Sequence, residues 1–131
     1  MIFFHGYFLP WVRRAGAWLF WPAVVVVAWG ELTPHPPAAA ALVWDKAEHF
    51  LAYFGLSLLA SLGWGLRRSL VWVLLAVVAL GGALEIIQAF VGRDAEWGDF
   101  FANDLGALTG LGAAVVYLRI PRRLVARATS H

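Results

Sequence analysis

The chain has 131 residues, 62% of them hydrophobic and only 14% charged, with a mean hydropathy of +0.73. A soluble domain is nearer half apolar and a quarter charged, and so short a chain has too much surface per volume to hide this much apolar area from water. The composition therefore excludes an ordinary soluble domain and implies a bilayer as solvent. The absence of cysteine removes disulfides and thiolate metal sites.

About 20 mainly apolar residues cross a hydrocarbon core of roughly 30 Å, and four segments qualify. The first runs over residues 15–32, with Pro22 near its start. A loop carrying Pro34, Pro36 and Pro37 follows, and prolines so close together forbid a regular helix through them. The second and third spans are expected over 47–66 and 69–90. They are joined by a connection around Arg67 and Arg68 short enough for an antiparallel hairpin. The fourth is expected over 99–118, ended by Pro121. This predicts a single all-α domain, an integral membrane bundle of four transmembrane helices, with no segment left for a soluble domain. A signal-peptide reading of the first span meets a long apolar stretch and a late Ala run, so a retained helix is expected.

Charge placement gives an orientation. Arg13, Arg14, Arg67, Arg68, Arg119, Arg122, Arg123 and Arg127 make up eight of the ten basic residues and fall on one side of a four-span bundle. The positive-inside rule makes that side, with both termini, cytoplasmic. All eight acidic residues lie in the other two loops or the helix ends beside them. The basic face is suited to anionic lipid rather than nucleic acid.

The acidic side also holds polar stripes. Asp45, His49 and Tyr53 are four apart and share one helix face, with Lys46 on its edge. Glu85 and Gln88 share a face of the third span, and Asp99 and Asn103 a face of the fourth. Ionisable groups in a membrane segment are costly when exposed to lipid, so the three stripes are expected to meet. Asp99 is also placed to cap the fourth helix. Gly106 and Gly110, a small-xxx-small pair, allow close approach to a neighbouring helix or, in an oligomer, to a second copy. Asp94 and Glu96 read as solvated loop charges.

The order "DKAEHFLAY", "ALEIIQAFVGR", "DFFANDLGALTG" resembles the VanZ-like family of small bacterial membrane proteins. Its pattern of D-K-x-x-H-F-x-x-Y, then E-x-x-Q with a nearby Arg, then D-x-x-x-N-x-x-G, is met over 45–110. The resemblance implies a multi-pass protein of the bacterial inner (cytoplasmic) membrane whose polar site faces outward. A link to glycopeptide resistance gives the family its name. The expected ligands are membrane lipids, with a lipid-linked cell-wall precursor or a glycopeptide antibiotic as further partners.

Three classes of function fit these residues. In a lipid-directed enzyme or binder, Asp45, His49 and Glu85 are the acid–base groups. Lys46, Tyr53, Gln88, Arg93, Asp99 and Asn103 are then the substrate-binding set, with Lys46 and Arg93 on a phosphate or carboxylate. A non-enzymatic bundle would use the same groups as ties between helices, and a small transporter component would use them as a proton or ion path. A metal between His49, Asp45, Glu85 and Asp99 is disfavoured by Lys46 and Arg93, so neither metal nor cofactor is expected.

Overall fold

The computed structural model describes residues 2–33, 42–64, 70–92 and 96–128. Four helices follow one another: α1 (Ile2–Leu32), α2 (Leu42–Trp64), α3 (Leu70–Gln88) and α4 (Trp97–Ala128). Three contain stretches long and apolar enough to cross a membrane, Pro10–Leu32, Leu70–Gln88 and Trp97–Arg119. Their outward faces carry Trp18 at 79% exposure, Trp29 at 72% and Trp72 at 69%. Large apolar groups exposed on this scale need lipid around them, and the chain is a membrane protein.

α1 and α4 overrun their expected spans, whereas α3 lies within its own. α1 begins at Ile2 and passes through Pro10 and Pro22. α4 continues past Pro121 to Ala128. A proline removes one helical hydrogen bond and crowds the carbonyl four residues back, but a helix can absorb this as a bend. Pro121, expected to end the fourth span, therefore lies inside α4. α2 also begins before its expected start, so Asp45 and Lys46 belong to its first turns.

α2 is the central element, packed most extensively on α4 and next on α1. It has 23 residues, about 35 Å at 1.5 Å per residue, yet it is not among the apolar spans. Asp45, His49, Tyr53, Ser57 and Ser61 repeat every four residues along it and lower its hydropathy. All but Asp45 are buried, so neighbouring helices rather than lipid meet this stripe.

Small residues set the close approaches. A methyl group at Gly106 would collide with the Phe50 carbonyl oxygen, and one at Gly110 with that of Phe54. These glycines fit α4 against α2 within the chain, the close approach to a neighbouring helix that their spacing implies. Gly16 and Gly63 do the same between α1 and α2, where added methyls would lie 2.9 Å from the Leu59 carbonyl oxygen and the Ala17 nitrogen. On α3, Gly81 leaves room for the Tyr53 ring. The core of Tyr53, Leu56, Ala60, Val73, Val77 and Ala107 fills the space between. After α3 the chain turns, with Phe90 and Val91 donating back to the carbonyls of Ile87 and Gln88. Gly92 takes a positive φ of 81° there, which glycine adopts without steric cost.

Candidate functional site

The end of α1, the start of α2, the end of α3 and the start of α4 meet at one end of the bundle. Helix periodicity puts His49 and Tyr53 on the buried side of α2, Glu85 and Gln88 on that of α3, and Asp99 and Asn103 on that of α4. The three polar stripes meet there. A fourth helix contributes Glu31 of α1, only 6% exposed.

His49 is the hub. Its Nδ1 lies 3.1 Å from Asn103 Oδ1, 3.4 Å from Glu31 Oε1 and 4.0 Å from Glu85 Oε1. Asn103 ties the two sides together, since its Nδ2 donates to Glu85 Oε1 at 3.3 Å. The Tyr53 hydroxyl donates to Glu31 Oε2 at 3.2 Å, and Gln88 Nε2 to the Glu31 backbone carbonyl at 3.0 Å. One imidazole thus sits between two buried carboxyl groups that neutral hydrogen-bonding side chains hold in place. Such an arrangement can keep a proton at a defined position and pass it between imidazole and carboxylate.

The expected substrate-binding set is used differently. Tyr53, Gln88 and Asn103 are almost wholly buried and spend hydrogen bonds on Glu31 and Glu85. Lys46 reaches Glu96 Oε2 at 2.8 Å and Asp99 Oδ1 at 3.4 Å. The hydrogen bond to Glu96 holds its ammonium pKa above the usual lysine value, with Asp99 adding to the effect and burial opposing it. Glu96, expected to be a solvated loop charge, is instead a partner of Lys46. Asp99 lies in the first turn of α4 rather than at its cap, because the helix already begins at Trp97; its carboxylate accepts from Lys46. Arg93 and Asp94 lie outside the described residues.

Asp45 stands near His49, and Asp45, His49 and Asp99 bring possible ligand atoms within 4.8 Å of one another. The donor types would suit a divalent cation, but Lys46 already places a positive charge against Asp99.

Two grooves flank the cluster. One of about 210 Å³, between α1 and α2, is lined by residues including Val27, Glu31, Asp45, Glu48 and His49. The other, about 580 Å³, lies between the end of α3 and the start of α4 and is lined by Gly82, Glu85, Ile86, Ala89, Phe90, Glu96, Trp97 and Phe100. Glu31 therefore borders one groove and Glu85 the other, with His49 between the two carboxyl groups. The larger groove falls within the 300–1,000 Å³ typical of small-molecule sites.

No family model, curated protein or solved structure matches this chain. The resemblance to the VanZ-like family rests on the three motifs themselves.

Sequence reasoning missed Glu31 and Glu96. Glu31 has Val27, Ala28, Pro34 and His35 at the neighbouring helical spacings, so no polar stripe announces it. Its signal is its level, an acid at the end of an apolar span beside the same loop as Asp45. Glu96 carries no pattern of its own, and only the fold brings it to Lys46.

Proposed function

We propose that the chain is a VanZ-like protein of the bacterial inner membrane, crossing it four times with both termini in the cytoplasm. Its outward-facing polar site binds or acts on an amphiphile of the cell envelope, such as a membrane lipid or lipid-linked precursor. The observation that carries this reading is the position of Glu85, which belongs both to the His49 cluster and to the wall of the larger groove. An amphiphile would enter that groove sideways from the bilayer, with its chain on Ile86, Ala89 and Phe90 and its polar end toward Glu85. His49, between Glu31 and Glu85, would serve as the acid–base group of any reaction there.

The four-span topology draws support from the length of α2 and from the eight basic residues grouped toward one side. Because the chain has no cysteine, single cysteines report cleanly. Glu48→Cys is expected to react with an impermeant maleimide on intact cells, and Arg123→Cys only after the membrane is opened. The reverse pattern would invert the topology and place the site inside.

Lipid retention tests the groove. Gly82 lines it, and a methyl there would meet only Phe100, at 3.7 Å. Gly82→Leu is therefore expected to fill the groove without unfolding the protein. Wild-type protein purified in mild detergent should retain lipid, and the variant several-fold less. Equal retention by both would remove the groove from the site.

A second reading has its own support. The cluster joins all four helices through side-chain contacts, as a purely structural tie would. Substitution of His49, argued in the Discussion, separates the two.

A further inference from the structure

The grooves share a charge character that points away from a head group of net negative charge. The smaller is bordered by Glu31, Asp45 and Glu48, with His49 beside them. The larger is bordered by Glu85 and Glu96. Among the described residues no Lys or Arg lines either one. Lys46 stands at the rim, and its ammonium is already held between Glu96 and Asp99.

The sequence around this end of the bundle has the same sign. In the sequence, all eight acidic residues fall within 31–48 and 85–104, against two basic ones, Lys46 and Arg93. Three carboxylates at the larger groove and its rim, Glu85, Glu96 and Asp99, stand against the one Lys46 ammonium, and in a low-dielectric groove such an excess acts strongly on an entering charge. It would disfavour a head group of net negative charge and attract a cation.

The larger groove adds a second element of recognition. Phe90, Trp97 and Phe100 stand beside its two glutamates, with Trp97 and Phe100 edge to face at a centroid distance of 6.4 Å. Aromatic faces draw cations through the ring quadrupole, and aromatic cages recognise substituted ammonium groups. Carboxylates beside them supply the opposite charge. Ile86 and Ala89 extend the wall as apolar surface, which suits an alkyl chain.

We infer that the larger groove selects an amphiphile whose head group carries an ammonium. The cation sits between Glu85, Glu96 and the aromatic side chains, and the alkyl chain runs along Ile86 and Ala89. This rests on the reading of the groove as an amphiphile site and adds the head-group class.

The test is native mass spectrometry of the full chain, released from a neutral detergent. Phosphatidylethanolamine, phosphatidylcholine and phosphatidylglycerol with identical acyl chains are supplied at equal concentration. The two ammonium-bearing lipids are expected to be retained roughly tenfold over phosphatidylglycerol, the ratio that about 1.4 kcal/mol produces. Glu96→Gln, at the half-exposed rim, should cut that preference several-fold without unfolding the bundle. Trp97→Ala should weaken the two ammonium lipids several-fold more than it weakens phosphatidylglycerol. Equal retention of all three lipids would overturn the head-group assignment while leaving the groove as an amphiphile site. A preference for phosphatidylglycerol would overturn it by reversing the sign. Retention of no lipid at all would remove the proposed function together with this inference.

Discussion

Gly106→Ala and Gly110→Ala are each expected to destabilise the bundle severely, whereas Gly112→Ala, on the same helix, is expected to be neutral or slightly stabilising. In water, the exchange of glycine for alanine inside a helix favours alanine by about 1 kcal/mol, so local propensity cannot produce the contrast. The environments can. The new methyl groups at 106 and 110 would press on the Phe50 and Phe54 carbonyl oxygens, which belong to the α2 backbone, whereas at 112 nothing lies within 4 Å. A side chain could rotate away, but a helix backbone moves only as a unit. Overpacking a well-fitted core costs typically 1–3 kcal/mol, and contact with rigid backbone belongs at or beyond the upper end. The α2–α4 packing is the most extensive in the fold and carries His49 and Asn103, so the same substitutions should pull the site apart. Thermal melts of the three purified variants in detergent check this. Melting of Gly106→Ala at the wild-type temperature would mean that α4 does not approach α2 as closely as described.

That contrast also shows what could be read from the sequence. Gly106 and Gly110 were legible as a close-packing pair because small residues at four-residue spacing have a simple geometric meaning on a helix. Their partner was not, since spacing does not say whether the neighbour is α2 or another copy. The stripes of His49 and Tyr53, Glu85 and Gln88, and Asp99 and Asn103 were legible for the same periodic reason, and the cost of exposing them to lipid implied that they meet. Glu31 escaped because one acid at a span end, flanked at helical spacings by Val27 and Ala28, has no period to detect. Glu96 escaped because its role depends on the distance to Lys46, fifty residues earlier. Pro121 misled in the other direction: a proline marks a probable boundary, yet α4 continues through it to Ala128. Shape was least legible of all. The groove between α3 and α4 follows from how the two helix ends sit beside each other, which no residue pattern encodes.

His49→Ala is expected to lower stability by about 3 kcal/mol or more, the scale seen when one partner is removed from a buried polar pair. The substitution takes a neighbour from Asn103, Glu31 and Glu85 together and leaves two buried carboxyl groups without the imidazole between them. His49→Gln, whose amide can still donate and accept, should recover most of that loss. Glu31→Gln should be milder than His49→Ala, because its amide oxygen can still accept from Tyr53. The double variant Glu31→Gln/His49→Ala should cost less than the two single losses added, by the 0.5–3 kcal/mol characteristic of groups sharing one network. These melts measure the tie between helices, while His49→Gln measures something else. It preserves hydrogen bonding but cannot exchange a proton near neutral pH, so it separates holding from proton transfer. Should the protein act only as a bundle and binding surface, His49→Gln would keep both its fold and any cellular phenotype. If His49 is the acid–base group of a reaction at the groove, His49→Gln would accumulate as folded protein that still retains lipid, and the phenotype would be lost. Full stability of His49→Ala would remove the structural reading instead, because a hub whose deletion costs nothing is not tying the helices together.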